Sequence, residues 1–120
     1  MAKPQIDRAH PIPDTFVFDG RLSRAGYRLN KFCHSLTSAA ARAEFKADEA
    51  AYMTRLGLTP EEQALVKARD FYGLIAAGTN IYMMLKLGSA TGNGLYQMGA
   101  QQRGESYEQF LKTRNNAGAV

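Results

Sequence analysis

Two histidines, one cysteine and the adjacent carboxylates Asp48 and Glu49 are the residues here whose types could carry chemistry. A non-haem iron site of the two-histidine, one-carboxylate kind needs both imidazoles on one metal. His10 lies in a proline-rich stretch and His34 in a helical one beside Cys33, so nothing local brings them together. Zinc needs three or four ligands, usually closely spaced, and that spacing is absent. Asp48 and Glu49 are neighbours on an expected helix, where successive side chains point about 100° apart, a poor arrangement for an acid–base pair. Cys33 falls on an apolar stripe and reads as a small buried hydrophobe rather than a nucleophile. G-x-S-x-G, the P-loop, G-x-G-x-x-G and H-E-x-x-H are all missing. No catalytic residue and no metal ligand is therefore assigned to this chain.

The elements that would position a binding surface are organised around Arg69–Leu87, RDFYGLIAAGTNIYMMLKL, with no charge between Asp70 and Lys86. Phe71, Leu74, Ile75, Ile81, Tyr82 and Leu85 recur at helical steps, and Ala76, Ala77, Met83 and Met84 make the opposite face apolar too. A helix apolar nearly all round is buried, and this one is too short and interrupted for the roughly 20 apolar residues of a membrane span. Gly78 signals either close approach of another backbone or a break, with Thr79 capping a second helix. Asn80, polar in this setting, serves an internal hydrogen bond or cap, or else a contact across an interface.

With 120 residues, 45% apolar, the chain is one domain, and its leaning to alanine, leucine and long polar side chains favours helix. A formal charge of +4 permits anionic partners without arguing for nucleic acid. A helix-turn-helix reading fails because TNIYMMLKL would offer bases only Asn80 and Lys86. One cysteine excludes an internal disulfide, and MAKPQIDRAHPIPD has no apolar leader core, so a soluble cytoplasmic protein is expected.

The predicted organisation is all-α: an irregular domain of five to seven helices over residues 21–113, an extended arm over 1–20 and a frayed tail over 114–120. Pro4, Pro11 and Pro13 keep the arm extended, and Phe16-Val17-Phe18 needs a surface to pack on. Leu22–Leu36 is the first helix, capped by Ser23 or Asp19. Its apolar stripe is Leu22, Leu29, Phe32, Cys33 and Leu36, and Arg21, Arg24, Arg28 and Lys31 share another face, either solvated or meeting acidic groups. Gly26-Tyr27 points to a close contact. A second helix runs from Thr37-Ser38 to Leu56, with Glu44, Lys46, Asp48, Glu49 and Arg55 outward. Thr59-Pro60-Glu61-Glu62 is a capping box with proline at the first helical position. Gly88–Gly94 reads as a loop, Leu95–Arg103 as a short helix, and Ser106 as the cap of a last one.

The order of these motifs resembles the small alpha subunit of protocatechuate 4,5-dioxygenase, a class II extradiol ring-cleaving enzyme. The resemblance covers about residues 13–112. It rests on TFVFDG, on Gly26, Tyr27, Leu29 and Asn30 within SRAGYRLNKFCHSL, on FKADEAAY (Phe45 to Tyr52), on LTPEEQALVKARD, and on Gly78, Asn80 and Tyr82 of GTNIY. It implies a helical, non-catalytic subunit covering the active-site mouth of a beta subunit, which holds Fe(II) through two histidines and a glutamate. The implied assembly is a hetero-oligomer of α2β2 type, with a catechol at the interface and neither nucleic acid nor membrane as partner. Phe16, Phe18, Tyr27, Asn30, Asn80 and Tyr82 are the implied partner contacts, and Asn93, Leu95 and Tyr96 the implied substrate contacts. Two departures bear on substrate. Gly78-Thr79-Asn80 replaces the family's Gly-Gly-Asn, and Leu95 stands where the family has a pocket phenylalanine, with Tyr96 beside it. Gallate or a substituted protocatechuate fits as well as protocatechuate. A rival reading is a helical interaction or regulatory module that shares the fold without a dioxygenase partner.

Overall fold

The computed structural model describes residues 17–114, the side chain of Arg114 excepted. His10, Phe16, most of the expected arm and tail residues 115–120 lie outside the described residues. Within them the chain is all-α, as expected: α1 (Gly20–Ala25), α2 (Tyr27–Ser35), α3 (Ala39–Ala47), α4 (Glu49–Arg55), α5 (Pro60–Lys67), α6 (Phe71–Ala76), α7 (Ile81–Thr91), α8 (Leu95–Gln102) and α9 (Tyr107–Arg114).

That is more helices than five to seven, because two long expected helices are each cut by one residue. Gly26 separates α1 from α2, and Asp19, not Ser23, caps α1, with its Oδ1 accepting the Leu22 amide at 3.0 Å. Asp48 takes an extended conformation between α3 and α4 and accepts the Ala51 amide at 3.1 Å. Glu44 on α3 pairs with Arg55 on α4 at 2.7 Å. Thr59 and Glu62 form the expected box: Thr59 Oγ1 accepts the Glu62 amide at 3.2 Å, and Glu62 Oε1 accepts the Thr59 amide at 2.9 Å. Arg28 Nε donates to that same Glu62 oxygen at 3.0 Å, which removes Arg28 from the expected basic stripe.

The central stretch divides in two, at Gly78. The cap of α7 is Asn80, whose Oδ1 accepts the Tyr82 amide at 2.7 Å, and not Thr79. Thr79 is buried, and its hydroxyl has no partner among the described residues. Gly88, expected in a loop, is buried inside α7, where an added Cβ would lie 2.5 Å from both the Asn93 carbonyl oxygen and the Met98 methyl. Only Gly92–Gly94 remains a turn, with Gly92 at φ 76.

The core gathers one stripe from each long element. Leu29, Phe32, Cys33 and Leu36 of the α2 segment meet Phe45, Tyr52, Met53, Val66, Phe71, Leu74, Met84, Leu87 and Met98. Phe32, Phe45 and Tyr52 stack edge-on or tilted, with centroids 5.5–6.0 Å apart. Each such ring contributes about 2–3 kcal/mol by leaving water.

Candidate functional site

Two junctions fix the surface formed by α7 and α8. At the first, α2 crosses the α6–α7 turn with backbones in contact. A Cβ on Gly26 would lie 2.1 Å from the Gly78 carbonyl oxygen, and one on Gly78 2.2 Å from the Leu22 carbonyl oxygen. Asn30 seals the crossing: its Nδ2 donates to Gly78 O at 3.0 Å, and its Oδ1 accepts the Asn80 amide at 2.7 Å. A carboxamide carries both functions at once, as this pairing requires.

The second junction involves a residue to which the sequence reading gave no role. Gln101 Oε1 accepts the Phe71 and Tyr72 amides, at 2.8 and 3.3 Å, and its Nε2 donates to the Arg69 carbonyl at 2.7 Å. The first amides of a helix lack intrahelical acceptors. One Gln101 oxygen satisfies two of those amides, and Asp70 Oδ1 a third, that of Gly73, at 2.9 Å. Arg69 takes a left-handed φ of 55, uncommon for a side chain of this size. Its guanidinium is held by Glu49 at 2.9 and 2.8 Å and by Val66 O at 2.8 Å. The hydrogen bond from Arg69 holds the Glu49 carboxyl below its ordinary range, and Glu49 raises Arg69 in turn. Glu49, expected outward, is therefore half-buried.

Against these fixed junctions, α7 and α8 bare a run of apolar side chains. Ile81, Leu95, Tyr96 and Met98 line a cleft of about 450 Å³ with Phe110 at its end. On its other side Ile81 joins Phe18, Ile75 and Thr79 around a second hollow of about 310 Å³. Leu95 is 57% exposed, Tyr96 48% and Tyr82 73%. Contiguous apolar surface of this kind marks an interaction site.

The structure thus brings Phe18, Leu95 and Tyr96 to one continuous face through Ile81, with Tyr82 following on α7. Tyr27 is exposed at the start of α2. Asn30 and Asn80 are half-buried and spend the amide groups described above inside the chain. Asn93 turns inward: its Nδ2 donates to Thr91 Oγ1 at 3.0 Å and its own amide to Gly88 O at 2.8 Å, closing the end of α7.

Cys33 is fully buried, and burial pushes its thiol up to about 12, far from a reactive thiolate. Asp48 and Glu49 are occupied by a helix cap and an ion pair. Among the described residues no three His, Cys, Asp or Glu side chains converge as a metal centre needs. No described helix is long and apolar enough to cross a membrane.

Fold and surface together describe a small helical domain that bares a shaped apolar face. The comparisons place it more closely. The family model of the LigA subunit of the aromatic-ring-opening dioxygenase LigAB matches residues 29–115, and the chain belongs to that family. It is also 36% identical, over 111 residues, to the gallate dioxygenase of Pseudomonas putida, a match covering 92% of this chain and 33% of that protein. The chain thus spans about a third of that relative's length.

Proposed function

We propose that this chain is the non-catalytic alpha subunit of an iron(II)-dependent extradiol dioxygenase that opens a catechol-type aromatic acid with O2. In this reading the iron ligands belong to a catalytic beta subunit, in a hetero-oligomer with the substrate pocket at the interface. The observation that carries it is the apolar face running from Phe18 through Ile81 to Leu95 and Tyr96, on a member of a dioxygenase-subunit family.

The chain's own part is to cover and to shape. Tyr82, Tyr27 and Phe18 anchor the partner, since exposed tyrosines bury a large area at small entropic cost. Leu95 and Tyr96 form a wall of the pocket and keep water out of it, which strengthens the polar interactions inside. Likeness to a gallate dioxygenase favours gallate among the candidate catechols, protocatechuate being the alternative.

Co-expression with the neighbouring reading frame, purification through this chain alone, and assays for iron and for ring cleavage of gallate and protocatechuate test the reading. A stable complex with iron and a yellow ring-fission product supports it. An iron-free monomer that ignores the neighbouring product favours a stand-alone interaction module.

A further inference from the structure

We propose that Gln101 is a positioning residue for the substrate pocket, acting through Leu95 and Tyr96; this rests on reading those two side chains as a pocket wall. Helix α8 packs on the body of the chain through Met98, in the core beside Gly88, through Gly99, which faces the Phe110 ring with the position of an added Cβ 3.1 Å from it, and through Tyr96, whose ring meets Phe110 edge-on at 5.7 Å. These apolar contacts seat α8 on α7 and α9 and supply no hydrogen bond to α6. The hydrogen bonds of Gln101 are directional: two tie α8 to the first amides of α6 and the third to the Arg69 carbonyl before it. The Arg69 side chain is in turn held by the Glu49 ion pair. From Gln101 to Leu95 the helix rises about 9 Å, short enough for a rigid rod to carry a rotation at one end to the other. The register of Leu95 and Tyr96 over a bound catechol is therefore set from the far end of α8, by a residue that does not line the pocket's exposed wall.

The test compares two variants. Gln101→Met keeps the length and removes all three bonds. Gln101→Glu keeps both acceptor bonds, at a helix N-terminus that favours a carboxylate, but loses the donor and sets a charged oxygen against the Arg69 carbonyl. In the free chain, hydrogen exchange of the α8 amides should quicken in Gln101→Met and quicken less in Gln101→Glu, with α2 and α7 unchanged in both. In the assembled dioxygenase, Gln101→Met should raise KM for gallate about tenfold with kcat held within about twofold, and Gln101→Glu should restore part of the loss. On a Leu95→Ala background Gln101→Met should add little, as coupled sites do. Unchanged α8 exchange in Gln101→Met overturns the proposal whether or not a complex forms. So does an equal KM rise with and without Leu95. Failure of the wild-type complex to cleave either catechol would instead sink the subunit reading and leave the exchange result to decide the positioning role.

Discussion

Asn30 donates to the Gly78 carbonyl and accepts from the Asn80 amide, so a single carboxamide on α2 joins the end of one helix to the start of the next, 48 and 50 residues away. Replacing it leaves two backbone groups without partners at a crowded crossing. Asn30→Leu should destabilise the chain by about 2–3 kcal/mol. Asn30→Asp keeps the acceptor, loses the donor and sets a negative charge beside a carbonyl, so it should be little better. Urea unfolding of the three chains gives the comparison.

Gly26→Ala should be among the most damaging single-methyl changes available. The atoms it meets are backbone, which cannot swing aside, and the cost should exceed about 3 kcal/mol. Gly57→Ala is the control: its φ is +82 but nothing lies within 4 Å of the added carbon, so only the conformational cost of about 1 kcal/mol applies. Thermal melts that rank the two the other way would show that the crossing can open.

The Glu49–Arg69 pair predicts an acid-sensitive contribution to stability. Glu49 is depressed in the folded state, so its contribution is present above the unfolded carboxyl value and disappears as pH falls through the folded one. Glu49→Gln should therefore cost on the order of 1 kcal/mol at neutral pH, the pair being about a third exposed. The difference from the wild type should vanish as pH falls through the folded carboxyl value. Urea midpoints that stay parallel across this range would remove the pair from the acid limb.

Leu95→Ala should leave the isolated fold within about 0.5 kcal/mol, because the side chain is mostly in solvent. In the assembled enzyme it should change KM or the preference between gallate and protocatechuate. Identical kinetics would take Leu95 out of the pocket.

Cys33 should resist thiol reagents in the native chain and react at once after unfolding. Its raised folded value means that its contribution to stability is full below the unfolded thiol value and is lost as pH rises from there toward about 12. Alkaline unfolding should therefore be milder in a Cys33→Ala chain, once the cavity cost measured at neutral pH is subtracted.

What could be read in advance was local. Thr59-Pro60-Glu62 predicts its own cap because donor and acceptor lie within one turn. The Leu29, Phe32, Cys33 and Leu36 stripe predicts its own burial by spacing. The errors sit where distant residues decide. Thr79 and Asn80 are both good caps; Asn30 takes the Asn80 amide and fixes the start of the helix one residue later. Gly88 has the composition of a loop, yet it lies in a helix, and it is glycine because Met98 and the Asn93 carbonyl fill the space a side chain would need. Gln101 looks like any surface glutamine, since its partners lie about thirty residues upstream. The face from Phe18 to Tyr96 was partly legible: its members could be named from a family pattern, but only the fold joins them through Ile81.

Helix α7 has two apolar sides: Met84 and Leu87 are sealed inside the chain, while Ile81, Tyr82 and Leu85 are bare. On the subunit reading, anything that covers the bare side binds the folded chain and not the unfolded one, so by mass action it raises the melting point in proportion to the logarithm of its concentration. The stability of this chain is then no fixed property of its sequence. It becomes a function of how much partner is present, and a cell making too little of that partner would be left with the least stable form of this one.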